Sequence, residues 1–254
     1  MEEQVPPKTV ENLRDWRRYW NTWPQQLEQT DFLRQVERTQ GGEPANQEQL
    51  RLVVEAISGA LALGGGDFLV DLCCGNGLVT KQLSPACRRI VGVDYSSTLI
   101  DVARRYHAAA NVAYLRAAAD EIGPEPWGKE NPTKILMCDS LQYFTEASLR
   151  SLLAAMNRLT DGQSPILFTG VPDVGRIDAF YNTEARRAEY EKRVREGTEA
   201  IGTWWRRESL AEILLEFGYE AGILAQDPRR FTSRYRFDLL AHPVGPRHAA
   251  AVKL

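Results

Sequence analysis

Phe68-Leu69-Val70-Asp71-Leu72-Cys73-Cys74-Gly75-Asn76-Gly77 is the stretch on which the folding of the chain turns. Its first half is an apolar, strand-like run; its second half is a tight turn carrying two glycines. Leu78-Val79-Thr80-Lys81-Gln82-Leu83 then reads as a helix. A second apolar run, Arg89-Ile90-Val91-Gly92-Val93-Asp94, ends on an acid 23 residues after Asp71 (94 minus 71). Strand, small-residue turn, helix, strand and terminal acid form a nucleotide cradle. The glycines let the backbone approach the ligand, and the second acid takes ribose hydroxyls.

Downstream the alternation continues. Ser96 or Ser97 can cap a helix that carries Leu99, Ile100, Val102 and Ala103 and runs to about Ala110. Val112-Ala113-Tyr114-Leu115, Lys134-Ile135-Leu136-Met137-Cys138 and the run from Ser164 to Gly170 read as strands three, four and five. Pro124, Pro126, Gly128 and Pro132 exclude regular structure before the fourth. A helix is expected from about Glu146 to Leu159. Strands alternating with helices at this spacing predict a parallel sheet covered on both faces. The alternation pauses over residues 172–206, where Phe180, Tyr181, a charged helical run from Glu184 to Glu196 and Trp204-Trp205 form an insertion. Arg207 to Phe217 resumes as a helix. Two closing strands follow, near 222–225 and 235–241. Gln226 to Arg234 is too short for a helical crossover, so they should pair as an antiparallel hairpin.

Upstream, Val10 to about Arg38 reads helical, with Trp16, Tyr19, Trp20, Trp23 and Leu27 at helical spacing and a break at Pro24. Residues 39–44 are a linker by composition, and Asn46 to Leu63 reads as an amphipathic helix. The expected organisation is a helical cap and linker over 1–44, a main domain over 45–242 with a lid insertion at 172–206, and loose ends at residues 1–9 and 243–254.

At 254 residues the chain can bury most of its unfolded surface without staples. Its 43% hydrophobic and 26% charged content is that of a globular domain. The net charge of -3 disfavours nucleic acid as the main partner, because duplex binding needs a basic face. No run approaches the roughly 18 apolar residues of a membrane span, and the acidic N-terminus has no secretory core. Cys73, Cys74, Cys87 and Cys138 show neither a disulfide framework nor a zinc spacing. Reduced thiols in a cytoplasmic protein fit this usage.

Asp71-Leu72-Cys73-Cys74-Gly75-Asn76-Gly77, Val93-Asp94-Tyr95-Ser96 and the closing Arg236-Phe237-Asp238-Leu239-Leu240 together resemble class I S-adenosylmethionine-dependent methyltransferases. The resemblance spans about Phe68 to His242. Cys73 stands where the first glycine of that family's motif usually sits. The resemblance implies an α/β, Rossmann-like, doubly wound seven-stranded sheet, mostly parallel with a C-terminal antiparallel hairpin, and S-adenosyl-L-methionine as cofactor. It places Asp94 on the ribose, Tyr95 and Ile122 along the adenine, and Asp120 or the backbone of Ala119 at the adenine amino group. Cys73, Gly75, Asn76 and Gly77 form the turn whose amides meet the ligand's carboxylate. Asp71 and the carbonyl of Cys138 face its amino and sulfonium end, and Tyr19 reaches the ligand from the cap.

Methyl transfer is an in-line displacement on an activated methyl, so placing the nucleophile about 3 Å away in a dry site can supply much of the catalysis. In this fold the acceptor meets the methyl at the end of strand four. Asp139 is a candidate base or orienting group there, and Tyr143 a candidate contact. None of His107, His242 and His248 falls at that position, and His107 reads as a surface residue. Trp20, Tyr181, Trp204 and Trp205 are candidates for an aromatic roof over the acceptor. Plain core packing is the competing role for each of them. The expected activity is methylation of an oxygen or nitrogen of a small molecule, such as a sugar or secondary metabolite. A nicotinamide-dependent reductase on the same cradle fits less well, because the G-x-G-x-x-G spacing is missing. A binding or scaffold protein without turnover stays open, as do the oligomeric state and the acceptor.

Overall fold

The computed structural model describes residues 8–11, 14–123 and 130–245. Two short helices, α1 (Trp16–Thr22) and α2 (Phe32–Gln35), and a two-residue hairpin of β1 (Thr39–Gln40) and β2 (Glu43–Pro44) precede helix α3 (Gln47–Ala60). The alternating part follows as β3 (Phe68–Leu72), α4 (Leu78–Leu83), β4 (Arg89–Asp94), α5 (Ser97–Tyr106), β5 (Val112–Arg116), β6 (Lys134–Cys138), α6 (Glu146–Thr160) and β7 (Ile166–Pro172). Helices α7 (Ile177–Phe180) and α8 (Glu184–Glu196) form the insertion. Helix α9 (Arg207–Glu216) and strands β8 (Tyr219–Leu224) and β9 (Arg236–Pro243) close the chain.

The main sheet has seven strands in the order β5-β4-β3-β6-β7-β9-β8. The first five are mutually parallel, and β9 runs antiparallel to both β7 and β8. Strand order reverses at β3, with β4 on one side and β6 on the other. The crevice beyond the carboxyl ends of these three strands is therefore the natural ligand position. The side-chain period of two divides the core into two layers. Phe68, Val70 and Leu72 join Met137, Met156, Phe168 and Trp205 on one face. Leu69, Leu136 and Leu167 join Ile57, Leu83 and Ile90 on the other. Every residue of β3 and of β7 is buried, as expected of strands covered on both faces.

The sheet and closing hairpin follow the sequence expectation, with strand ends moved by two or three residues. The N-terminal region differs more. The helix expected over 10–38 is confined to α1 and α2, with a 3-10 turn at Pro24–Gln26. Asp15 starts α1 by accepting from the Arg18 amide at 2.9 Å. The end expected to be loose is stitched down from residue 9. Val10 exchanges two backbone hydrogen bonds of 2.9 Å with Trp204, and Thr9 Oγ1 accepts from the Arg206 amide. His107 is buried, not on the surface: its Nδ1 donates to the carbonyl of Asn76 at 2.7 Å, and its ring packs edge-on against Phe32. Helix α8 buries no residue and pairs its own charges, as Arg193 does with Glu189 at 2.8 Å. It reads as a solvated helix. Pro124, Pro126, Gly128, His248 and most of the predicted tail lie outside the described residues.

Trp205 is fully buried beneath the sheet and donates its indole N–H to the Leu141 carbonyl at 3.2 Å. Trp205→Ala is expected to lower the unfolding free energy by about 3–5 kcal/mol, measured by urea denaturation. A loss below about 1 kcal/mol would contradict its place in the core.

Candidate functional site

The turn after β3 makes the floor of the site. Cys73, Gly75 and Gly77 all have left-handed backbone, with φ of 57°, 57° and 77°. Glycine adopts this freely, whereas cysteine at this position carries strain. A Cβ at Gly77 would overlap the Tyr114 hydroxyl at 2.5 Å, and one at Gly75 would press on Val36 at 2.9 Å. The turn is held by Asp94 at the end of β4. One carboxylate oxygen accepts from the Gly75 amide at 3.0 Å, the other from the Ser96 amide at 2.8 Å. Asp94 is buried, and burial pushes its pKa up to about 6 even though the amides of Ser96, Gly75 and Tyr95 pull it down.

Asp71 lies at the end of β3 beside the turn. Its Oδ2 accepts from the Thr80 hydroxyl at 2.6 Å, whereas its buried Oδ1 has no partner among the described residues. Burial raises its pKa to about 7, against the opposing pull of the Thr80 hydrogen bond and Arg38. A cationic group beside Oδ1 would meet both the unfilled acceptor and the desolvated charge.

The N-terminal elements sit on this floor. Tyr95 donates its hydroxyl to the Trp16 carbonyl at 2.9 Å, and the Ser96 hydroxyl donates to the Trp20 carbonyl at 2.9 Å. Asn76 Nδ2 donates to the Phe32 carbonyl at 2.8 Å and to Gln35 at 2.9 Å. Between floor and cap lies a cavity of about 240 Å³. Asp71, Cys73, Gly75, Asn76, Asp94 and Tyr95 line it from below, and Ala119 and Asp120 from the turn after β5. Trp16 and Trp20 line it from the cap, each with a buried indole N–H lacking a partner among the described residues.

The far wall is the end of β6. Cys138, Asp139 and Tyr143 all reach the cavity. Arg38 from the cap binds Asp139 at 2.8 Å and donates to the Cys138 sulfur at 3.1 Å. Thr169 also donates to that sulfur, at 3.2 Å, while the Cys138 carbonyl accepts from the Ser140 hydroxyl at 2.8 Å. Burial pushes the Cys138 thiol up to about 12. Asp139 has a left-handed φ of 51°, and a Cβ at Gly170 would overlap its carboxylate. Burial alone would raise the Asp139 pKa, but the guanidinium groups of Arg38, Arg236 and Arg230 override it and hold the carboxyl below its usual range. Tyr143 packs on Trp16 and Trp20 at ring separations of 4.7 and 5.4 Å and accepts from Gln142 Nε2 at 3.0 Å.

Six of the expected site residues stand apart from the cavity wall. Gly77 acts through the turn geometry, and Ile122 is core beneath the sheet. Tyr19 is hydrogen-bonded to Glu37 and braces Trp20 and Trp23 from behind. Trp204 and Trp205 are fully buried and line neither this cavity nor the larger one beside it. Tyr181 is buried against Tyr190 and hydrogen-bonded to Glu199. Of the roof expected from Trp20, Tyr181, Trp204 and Trp205, Trp20 lines the first cavity, joined there by Trp16, whereas the indoles of the insertion anchor it to the core. Arg38 and Trp16 went unmarked as site residues. Trp16 could have been found, since it shares the helical stripe of Trp20. Arg38 could not, because its partner Asp139 is distant in sequence.

Residues 69–162 match the methyltransferase domain family model. An uncharacterized methyltransferase of Schizosaccharomyces pombe is 34% identical over 73 residues, 26% of this chain and 26% of its own length. A tRNA/tmRNA (uracil-C(5))-methyltransferase of Aromatoleum aromaticum is 36% identical over 88 residues, 33% of this chain and 22% of its own length. The chain thus spans about a quarter of the length of these curated relatives. The magnesium protoporphyrin IX methyltransferase of Synechocystis PCC 6803, solved with bound S-adenosylhomocysteine, superposes with a TM-score of 0.61 at 16% identity over 89% of this chain and 96% of its own. The fold is shared with this solved methyltransferase, and residues 69–162 match the methyltransferase domain family.

Asp139→Asn leaves the Arg38 guanidinium without its counter-charge. The expected cost is about 2–3 kcal/mol of stability, read by chemical denaturation. An unchanged midpoint would show that the pair does not hold cap to sheet.

Proposed function

We propose that this protein is an S-adenosylmethionine-dependent methyltransferase acting on an oxygen or nitrogen of a small-molecule acceptor, such as a sugar or secondary metabolite. The observation that carries the reading is the free Oδ1 of Asp71 at the β3 turn, in one cavity with the ribose-type carboxylate of Asp94. These groups fit the donor. The remaining lone pairs of Asp94 suit ribose hydroxyls, Asp71 Oδ1 and the Cys138 carbonyl suit the amino end, and the amides of the 75–77 turn suit the carboxylate. Tyr95 and Leu99 offer faces for the adenine, with Asp120 or the Ala119 backbone at its edge.

When bound, the donor supplies a methyl carbon activated by a sulfonium. An acceptor oxygen or nitrogen placed in line would take that methyl, the carbon–sulfur electron pair would stay on sulfur, and the acceptor's proton would leave to solvent. The chain's contribution is placement and exclusion of water by Trp16, Trp20 and Tyr143. Asp139, held ionised between arginines, is a poor proton acceptor and serves to orient. Tyr143, buried and with its pKa raised mainly by that burial, serves as a contact, not a base. An RNA acceptor draws less support, because the similarity to the tRNA enzyme covers a third of this chain and the net charge is -3. No helix among the described residues is long and apolar enough to cross a membrane.

Asp94→Ala is expected to weaken S-adenosylhomocysteine binding by about 30- to 100-fold, the worth of a buried charge-assisted contact, measured by titration calorimetry. Because the ligand's amino group and hydroxyls need ionised carboxylates, wild-type affinity should fall as pH drops through about 7, where Asp71 takes up a proton, and further through about 6, where Asp94 does. Equal affinity in the variant would refute the assignment of Asp94 to the ribose.

A further inference from the structure

A second cavity, of about 610 Å³, adjoins the first. Val36, Arg38, Asp139 and Tyr143 line both, so the Arg38–Asp139 pair stands in the partition between them. The second cavity is walled by the cap, the start of α3, the insertion and the segment before β9. Its charge is unlike that of the whole chain. Five arginines line it, Arg38, Arg186, Arg230, Arg234 and Arg236, against two acids, Glu37 and Asp139. The chain overall carries -3.

The arginines differ in how far they are satisfied. Arg38 is matched by Asp139, and Arg230 by Asp238 at 2.9 Å. Arg236 donates to the Gln142 side chain and the Gly170 carbonyl, and its nearest carboxylate, Asp139, is 3.9 Å away. The Nε–H groups of Arg230 and Arg236 are buried and have no acceptor among the described residues. Arg186 reaches only the Asn182 amide oxygen at 3.3 Å and lies over the Phe180 ring. Arg234 is exposed and has no hydrogen bond or ion pair among the described residues. On the acid side, Glu37 is engaged by Tyr19. Three guanidinium groups, on Arg186, Arg234 and Arg236, thus face the space without a carboxylate at hydrogen-bond distance. Planar, forked donors of this kind suit oxyanions. Leu50, Val53, Phe180 and Phe231 supply apolar wall for an organic body.

We infer that this second cavity holds the methyl acceptor, and that the acceptor is a small organic oxyanion, a carboxylate or a phosphate ester, whose charge is read by Arg186, Arg234 and Arg236. The inference rests on the methyltransferase reading for the word acceptor, and on the cavity alone for the anion.

The test uses the full chain, with and without S-adenosylhomocysteine, and follows the arginine Nε–H signals by two-dimensional NMR. Benzoate, phenyl phosphate and benzamide are titrated to millimolar concentration. Saturable shifts are expected with at least one of the two anions and none with benzamide, and the tighter anion identifies the source. The double variant Arg186→Gln/Arg234→Gln should weaken anion binding by about tenfold or more and leave S-adenosylhomocysteine affinity within about twofold. No saturable shift with either anion, equal shifts with benzamide, or an unaffected double variant overturns the anion cavity. Failure of S-adenosylhomocysteine to bind, with the anion shifts intact, overturns the methyltransferase reading and leaves the anion cavity standing.

Discussion

One buried carboxylate holds the site in shape. Asp94 spans the gap between the β3 turn and the start of α5 by accepting one amide from each. Together with the Cys74 amide, which donates to the Val93 carbonyl at 3.0 Å, it fixes the left-handed turn at Cys73, Gly75 and Gly77 to the neighbouring strand. The parallel ladder from Phe68↔Arg89 to Leu72↔Val93 sets the two strand ends level, and Asp94 clasps them beyond the last pair. Desolvation makes this costly, which is why its pKa is raised despite its amide partners. A carboxylate kept in place under that cost, with lone pairs left over, is pre-organised for a polar ligand.

The cap depends on this arrangement. Tyr95 and Ser96, the residues next to Asp94, hold the carbonyls of Trp16 and Trp20, and Asn76 of the turn holds α2. The Arg38–Asp139 pair closes the other side. Asp139 can sit there only because residue 170 is glycine, and the strain of its left-handed backbone is borne by the ion pairs around it. First cavity, partition and second cavity are thus parts of one hydrogen-bonded assembly seated on the carboxyl ends of β3, β4 and β6.

How much of this the sequence discloses follows from the range of the interactions. The parallel part of the sheet was legible because each of its strands announces itself in a short run of consecutive apolar residues. The floor of the site was legible because Asp71, the turn and Asp94 lie within one strand–helix–strand unit. Asp139 and Tyr143 fell at the cavity by their place after β6. The roof was misplaced because Trp204 and Trp205 look like Trp16 and Trp20 in composition. What separates them is the strand-like pairing of Val10 with Trp204 and the burial of Trp205 under the sheet, both set by distant chain. The burial of His107 is hidden from the sequence for the same reason: its acceptor is the Asn76 carbonyl, and its cover is Phe32 of the cap.

Among the described residues the tryptophans fall into two optical populations. Trp16 and Trp20 border the first cavity and Trp23 stacks on Tyr19 nearby, whereas Trp204 and Trp205 are sealed in the body. Emission from the cap indoles therefore answers to what surrounds that cavity, and emission from the sealed pair to the integrity of the fold. The chain holds a built-in reporter for each, with no added dye.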